Sequence, residues 1–237
     1  MDQQPSGRPR VAFFGGSFDP PHLGHLAVAR AARAALGLDT VLFAPVGAQP
    51  LKLQGSTASY EDRLAMTRLA IASDPGFAVS LADAPKFSGA PNYTIETLLA
   101  LRAELPSGGA LFCLMGADSF VGLSRWHRAA EIPFAAPLIV ASRPGESLRD
   151  LKGALPEGLS VEAVPGPDWM GPEVFQYLLR NQAGDRAPFY LLPNLEIEIS
   201  ASEIRELVRA TAGSRVPERE LLPGPVSAYI RAHGLYR

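Results

Sequence analysis

Short apolar runs alternate along the chain with longer segments of helical character. The run at residues 11–14 is wholly apolar, which is typical of a strand buried on both faces. Further strands are predicted at residues 41–46, 77–81, 110–115, 137–141 and 189–193, and helices at residues 23–36, 60–73, 94–105, 202–212 and 226–233. Strands alternating with helices at this spacing predict βαβ units, and therefore an α/β fold with a doubly wound parallel sheet and helices on both faces.

The chain of 237 residues is short enough for one domain. We expect a disordered tail over residues 1–9 and a single domain over residues 10–237. Residues 143–188 are rich in Gly and Pro and weakly periodic apart from 173–180, so they are expected to form a loop-rich connection or a partial lid. Residues 200–237 are expected to form a small C-terminal helical part.

Composition excludes several classes of protein. Lys and Arg total 22 against 24 Asp and Glu, a net charge of −2, so the chain lacks the basic field of a nucleic-acid binder. Its single cysteine, Cys113, excludes an intramolecular disulfide and fits a reducing compartment. The polar N-terminus and the lack of a long apolar run indicate a soluble, cytoplasmic protein without membrane contact.

The sequence GGSFDPPHLGH, residues 15–25, follows the first predicted strand and opens the first predicted helix. Glycines allow backbone N–H groups to approach a ligand closely, and a helix N-terminus favours phosphate. His22 and His25 lie three residues apart, so both can face one side of the helix. Two imidazoles at this place suit an anion better than a metal ion, and no metal ligands are predicted. The loop matches neither a Walker A motif nor the G-x-G-x-x-G fingerprint.

Two other polar clusters follow predicted strands. Residues 199–205, ISASEIR, open a late helix, where Ser hydroxyls can cap the helix and Arg205 offers a planar fork for phosphate oxygens. Residues 116–119, GADS, follow the strand at 110–115, and Asp118 there can accept a hydrogen bond from a ribose hydroxyl. Ligands of open parallel sheets bind beyond the carboxyl ends of the strands, which is where all three clusters are expected.

The first cluster resembles the His-x-Gly-His signature of the nucleotidyltransferase superfamily, whose fold is Rossmann-like. Residues 199–205 resemble its late Ile-Ser-Ser-Thr-x-Ile-Arg motif, with Ala201 and Ser202 in place of the second Ser and the Thr. Nearly end to end, the chain resembles bacterial nicotinate-nucleotide adenylyltransferases. The further matching segments are Tyr93-Thr94 with residues 96–98, residues 116–119 with Trp126, residues 143–145 and residues 222–230. One departure is Leu51, which precedes Lys52 where the family commonly has His.

The resemblance implies transfer of AMP from ATP, with Mg²⁺, to nicotinate mononucleotide, giving deamido-NAD and pyrophosphate in NAD biosynthesis. It assigns His25 to the α-phosphate, His22 to the phosphates nearby, and Arg205 to the leaving pyrophosphate, so that these three residues are catalytic. The implied ATP-binding residues are Gly15, Gly16, Phe18, His22, His25, Gly116, Asp118, Ser200, Ser202 and Arg205. The implied mononucleotide-binding residues are Ser17, Lys52, Thr94, Trp126, His127 and Arg143.

Selectivity is part of the same expectation. Trp126 is expected to stack on the pyridine ring, while backbone N–H groups around Trp126 and His127 meet its carboxylate. A carboxamide would present its own NH₂ donors to those N–H groups, which disfavours nicotinamide.

Other functions stay open from the residues alone. Phosphopantetheine adenylyltransferases and cytidylyltransferases share the His-x-Gly-His loop, although the former are usually shorter. Nicotinamide mononucleotide is the closer alternative acceptor, and a catalytically silent nucleotide sensor is an alternative of another class. A homo-oligomer is open as well.

Overall fold

The computed structural model describes residues 7–51, 55–142, 153–165, 174–192, 200–210 and 221–237. The strands are β1 Arg10–Gly16, β2 Thr40–Pro45, β3 Phe77–Val79, β4 Ala110–Gly116, β5 Leu138–Ala141, β6 Ser160–Ala163, β7 Phe175–Arg180 and β8 Arg186–Leu192. The helices are α1 Leu23–Leu36, α2 Tyr60–Ile71, α3 Thr94–Glu104, α4 Ala117–Val121, α5 Ile132–Ala135, α6 Ala201–Ala210 and α7 Gly224–His233, with 3₁₀ turns at Leu123–Arg125 and Ala129–Glu131. None of the helices in these ranges is long and apolar enough to cross a membrane.

The strands form one sheet in the order β3-β2-β1-β4-β5-β8-β7-β6. Neighbours from β3 through β8 are parallel, with Val11 of β1 opposite Thr40 of β2 on one side and Leu111 of β4 on the other. The chain starts in the middle at β1, runs outward to β3 and returns across β1 to β4. The order therefore reverses between β1 and β4, where sheets of this kind bind their ligands. The predicted α/β, doubly wound, Rossmann-like fold is confirmed.

The sheet is mixed rather than parallel throughout, because β7 pairs antiparallel with β8, and β6 with β7. Strands β6 and β7 lie in residues 143–188, for which a loop-rich connection or partial lid is predicted. A tight turn joins β7 to β8: the Asp185 backbone N–H donates to Asn181 Oδ1 at 2.9 Å, and Gly184 has φ 89°. Strand β7 coincides with the periodic residues 173–180, for which no strand is predicted. Its burial is uneven: Leu179 is fully buried while Phe175, on the same face by alternation, is 52% exposed.

Helices cover both faces of the sheet, which is why its central strands β1 and β4 are apolar at every position after Arg10. Phe14 of β1 packs with Leu26 of α1 and Met66 of α2 on one face. Phe13, the preceding residue, packs on the other face with Ile95 of α3 and Leu138 of β5. This two-sided burial fixes the register of β1 and so the position of the loop that follows it.

Candidate active site

A cleft of about 830 Å³ opens at the carboxyl ends of β1 and β4. All of the predicted site residues that the structure describes line it: Gly15, Gly16, Ser17, Phe18, His22, His25, Thr94, Gly116, Asp118, Trp126, His127, Ser200, Ser202 and Arg205. Lys52 and Arg143 lie outside the described residues. The fold thus brings three clusters that are distant in sequence into one cavity, at the point where the strand order reverses.

The loop between β1 and α1 is held from outside by buried polar groups. Phe18 has φ 47°, and the Asp19–Pro20 peptide bond is cis. The carboxylate of Asp19 is buried and accepts hydrogen bonds from the backbone N–H of Thr57 at 2.6 Å and of Ala58 at 3.1 Å. Arg63, 2% exposed, donates from Nη1 to the Ser17 carbonyl at 2.7 Å. The loop conformation is therefore set before any ligand arrives.

His22 and His25 lie ring to ring at the start of α1, with centroids 3.7 Å apart. The backbone N–H of His22 donates to Nδ1 of His25 at 3.2 Å. Since Nδ1 is the acceptor, neutral His25 carries its proton on Nε2. His25 can therefore donate a hydrogen bond without being positively charged.

Burial keeps both imidazoles neutral. It lowers the pKa of His22 to about 4. Burial lowers the pKa of His25 well below its usual value too, and a positive charge on His22 would lower it further. Nδ1 of His22 is buried and has no hydrogen-bond partner among the described residues. An anion in the cleft would favour the protonated forms and so raise both pKa values.

The late motif builds the opposite wall of the cleft. Ser200 Oγ accepts from the Glu203 backbone N–H at 3.1 Å, while the Glu203 carboxylate accepts from the Ser200 N–H at 3.2 Å, which is a capping box. Ser200 alone thus caps α6, and the cap needs no hydroxyl at Ala201. Arg205 donates from Nη1 to the Asp19 carbonyl at 2.7 Å and from Nη2 to Ser202 Oγ at 3.0 Å. Its guanidinium therefore connects residues 200–205 to the loop between β1 and α1.

The other half of the cleft is formed by α3 and the segment after β4. Asn92 accepts from the Ala48 backbone N–H at 3.0 Å and donates to the Ala84 carbonyl at 3.0 Å, which fixes the approach to Thr94 at the start of α3. Gly116 has φ −77° and ends β4, and a Cβ there would meet no described atom within 4 Å. The space beside Gly116 is therefore open to a ligand.

The structure changes one expected contact, that between the Trp126 backbone N–H and the pyridine carboxylate. The Trp126 backbone N–H donates to the Leu123 carbonyl at 2.9 Å, so it is already used within the fold. The ring of His127 lies 4.4 Å from that of Tyr93, at the edge of the same cavity. A pyridine carboxylate near Trp126 would have to take its N–H donor from the residues that follow, beginning with His127.

Sequence reasoning assigned no role to Asp19, Arg63, Asp83 or Tyr236, although all four are buried beside the cleft loops. Asp83 accepts from the Thr97 hydroxyl, and burial raises the pKa of its carboxyl group. Tyr236 donates to Asp19 across 217 positions of sequence, for which no local pattern gives a signal. Burial, together with the negative charge of Asp83, raises the pKa of Cys113 to about 12, so that thiol is unreactive.

The fold and the cleft define a class of nucleotide-binding transferases, and comparison with known proteins agrees. The family model described as cytidylyltransferase-like matches residues 13–207. Among solved structures, Plasmodium falciparum nicotinic acid mononucleotide adenylyltransferase complexed with APC superposes with a TM-score of 0.66 at 14% identity, covering 97% of this chain and 98% of that one. At that identity the likeness shows the fold alone.

Proteins related in sequence specify the family within this class. A protein of Stenotrophomonas maltophilia named "Probable nicotinate-nucleotide adenylyltransferase" is 40% identical over 95% of this chain and 96% of its own length. A protein of Aeromonas hydrophila with the same name is 38% identical over 97% and 98%. The chain belongs to the nicotinate-nucleotide adenylyltransferase family, within the cytidylyltransferase-like nucleotidyltransferases.

Proposed function

We propose that this chain transfers AMP from Mg²⁺-ATP to nicotinate mononucleotide, giving deamido-NAD and pyrophosphate in NAD biosynthesis. The observation that carries the proposal is the meeting of His22, His25 and Arg205 in one cleft with Asp118 and Trp126. The first three supply donors for phosphate oxygens, and the last two supply groups suited to a ribose and an aromatic ring. The relatives' names and the fold support the same activity.

The reaction is an in-line displacement at phosphorus. An oxygen of the mononucleotide's phosphate bonds to the α-phosphorus of ATP, the bond from that phosphorus to the oxygen bridging the β-phosphate breaks, and pyrophosphate leaves. Such transfers need positioning and charge stabilisation more than covalent help from the protein. The loop after β1 is suited to this because its backbone is fixed before substrates bind.

The donors divide between the two ends of the breaking bond. We assign the Nε2–H of His25 to an α-phosphate oxygen, where charge develops, and His22 to the phosphates beside it. Ser200, Ser202 and Arg205 hold the β- and γ-phosphates, and Arg205 offers the leaving group the N–H donors that Asp19 and Ser202 do not use. Because burial keeps both histidines neutral before ATP binds, the initial attraction for the triphosphate is assigned to Arg205 and to the positive end of α1.

The nucleosides are placed by the segment after β4 and by α3. Asp118 and Gly116 receive the adenosine ribose, and the open space at Gly116 is consistent with close approach there. Thr94 and Lys52, with Ser17 nearby, hold the mononucleotide's phosphate, and Arg143 is a further residue assigned to this substrate. Trp126 stacks on the pyridine ring, and His127 lies beside the carboxylate.

Mg²⁺ enters with ATP as part of the substrate. Mg²⁺ sites of this kind use one or two carboxylates together with substrate phosphates. Among the residues that the structure describes there is no group of three or more His, Cys, Asp or Glu side chains placed to hold a metal. In this proposal the phosphates of ATP bind the ion, and its charge offsets part of theirs in the cleft.

We also propose a cytoplasmic location. The observation in its favour is Cys113, the single cysteine of the chain, which is a buried free thiol.

The proposal is tested by pyrophosphate release from purified protein with Mg²⁺-ATP and, in parallel, nicotinate mononucleotide, nicotinamide mononucleotide or phosphopantetheine. We expect kcat/KM for nicotinate mononucleotide to exceed that for the amide by about 10², or about 2.7 kcal/mol. Equal rates on the two mononucleotides would retain the chemistry and refute the selectivity. Tight ATP binding with no release from any acceptor would instead identify a silent sensor.

A further inference from the structure

The C-terminal segment, residues 221–237, contacts the loop before α1 on both sides of His22. The backbone N–H of Leu23 donates to the Leu221 carbonyl at 2.9 Å. The hydroxyl of Tyr236 donates to Asp19 Oδ1 at 2.8 Å. His22 therefore lies between two residues that are each anchored on the end of the chain.

Tyr236 is held in an unusual conformation for this contact. Its backbone has φ 64°, in the left-handed region that residues other than glycine seldom occupy. Its side chain is 5% exposed and belongs to the same apolar cluster as Phe18 and Leu26. Such a conformation persists when the surrounding contacts fix it, here the packing of the ring and the hydrogen bond of the hydroxyl.

Asp19 joins the C-terminal segment to the phosphate side of the cleft. Its carboxylate accepts from Tyr236 and from the backbone N–H groups of Thr57 and Ala58, and its carbonyl accepts from Arg205. Removing the tyrosine hydroxyl would leave Asp19 Oδ1 with the longer bond from Ala58, 3.1 Å, and would hold the loop less tightly. The separation between His22 and the Arg205 guanidinium would then vary more.

We propose that Tyr236, the penultimate residue, is a positioning residue for adenylyl transfer: through Asp19 it holds the loop that carries His22 against Arg205. The inference rests on the proposed function, because the donors in question are those assigned to ATP. Tyr236 touches no substrate in this account. It acts on the transition state by keeping the phosphate donors at fixed separations.

The chain supplies a matched control in the same C-terminal segment, residues 221–237. The hydroxyl of Tyr229 also donates to an aspartate, Asp62 Oδ1 at 3.0 Å, on α2 and outside the cleft. Tyr229→Phe and Tyr236→Phe therefore remove the same chemical group and the same kind of hydrogen bond. Only Tyr236→Phe removes a bond to the cleft loop.

The test compares kcat, the KM values for ATP and nicotinate mononucleotide, and Tm for the wild type and both variants. We expect Tyr236→Phe to lower kcat about tenfold and to leave the KM for nicotinate mononucleotide within about twofold. Tyr229→Phe should keep the wild-type kcat. Equal kcat in the two variants, measured well below Tm, would show that Tyr236 serves only stability and would overturn the inference.

A double-mutant cycle tests the route through Asp19. In an Asp19→Ala background, Tyr236→Phe should have no further effect on kcat, whereas an undiminished effect would contradict the route. Should Asp19→Ala fail to fold, the comparison with Tyr229→Phe decides alone. A wild type without adenylyl transfer activity would refute the proposed function, while an active wild type with an equally active Tyr236→Phe would refute only this inference.

Discussion

The backbone N–H of His22 donates to Nδ1 of His25 at 3.2 Å, and this bond determines which ring nitrogen of His25 faces the cleft as a donor. Because burial lowers the pKa of both imidazoles, this donor is neutral before ATP binds. The site thus combines two imidazoles at the start of α1, neutral before ATP binds, with a permanent cation, Arg205, from α6.

His25→Ala should lower kcat by about 10²–10³, the usual loss when one transition-state donor is removed. His233→Ala is the matched control, because that imidazole stacks on Tyr229 at 3.8 Å outside the cleft. The measurement is steady-state pyrophosphate release, with circular dichroism to show that both variants are folded. A loss of less than about tenfold for His25→Ala would remove His25 from the centre of the chemistry.

Arg205→Lys should raise the KM for ATP and lower kcat, together by about tenfold to a hundredfold in kcat/KM. A lysine is a single point donor and cannot reach both the Asp19 carbonyl and Ser202 Oγ as the guanidinium does. Arg209→Lys, one turn further along α6 on its exposed side, is the control and should leave both constants unchanged. Similar kinetics for the two variants would contradict the role given to the fork.

Gly116→Ala should weaken ATP binding without destabilising the fold. The backbone there has φ −77°, which alanine adopts freely, and the added Cβ meets no described atom within 4 Å. The methyl group would instead occupy space assigned to adenosine, so we expect the KM for ATP to rise about tenfold. Gly224→Ala is the control, because its added Cβ also meets no described atom and it lies at the start of α7. An unchanged KM for ATP in Gly116→Ala would place the adenosine elsewhere.

The neutral state of His22 predicts a specific dependence of stability on pH. Between its unfolded pKa of 6.5 and its folded pKa of about 4, the unfolded chain binds more protons than the folded one. The contribution of neutral His22 to the free energy of unfolding is therefore fully present above pH 6.5 and is lost as the pH falls toward 4. The lowering of the His22 pKa from 6.5 to about 4 corresponds to about 3 kcal/mol in the free energy of unfolding.

Urea unfolding of the wild type and of His22→Asn at pH 7 and at pH 4.5 measures this contribution. The free energy of unfolding should fall less between the two pH values in the variant, while the acid sensitivity of the carboxylates stays common to both proteins. Parallel losses in the two proteins would show that His22 is not held neutral in the folded state.

The sequence predicted the parts of the fold that have strong local signals. Helix α1 was predicted with its observed bounds, because an Ala-rich segment ends at Gly37, which adopts the left-handed conformation with φ 56°. Residues 173–180 are periodic, but their pairing as β7 with β8 was not predicted, since it depends on a turn at Asn181 and on burial of one side chain, Leu179. Pairing between strands is a tertiary property that short, irregular patterns do not reveal.

In the candidate site, too, some residues could be predicted from local sequence signals and others could not. Motifs with family spacing located His22, His25, Asp118 and Arg205, and the structure brings all four to one cleft. The groups that hold the loop in place were not predicted, because a buried arginine such as Arg63 has the same appearance in sequence as an exposed helical arginine. Such support comes from contacts between distant segments, and only the folded structure shows them.

The most direct test of adenylyl transfer follows labelled phosphate from ATP into the product. Wild-type protein is incubated with nicotinate mononucleotide and ATP carrying ³²P at either the α- or the γ-position. The account predicts that label from the α-position appears in deamido-NAD, that label from the γ-position appears only in pyrophosphate, and that His25→Ala slows both by the same factor. Label from the γ-position in the nucleotide product, or no labelled dinucleotide at all, would contradict it.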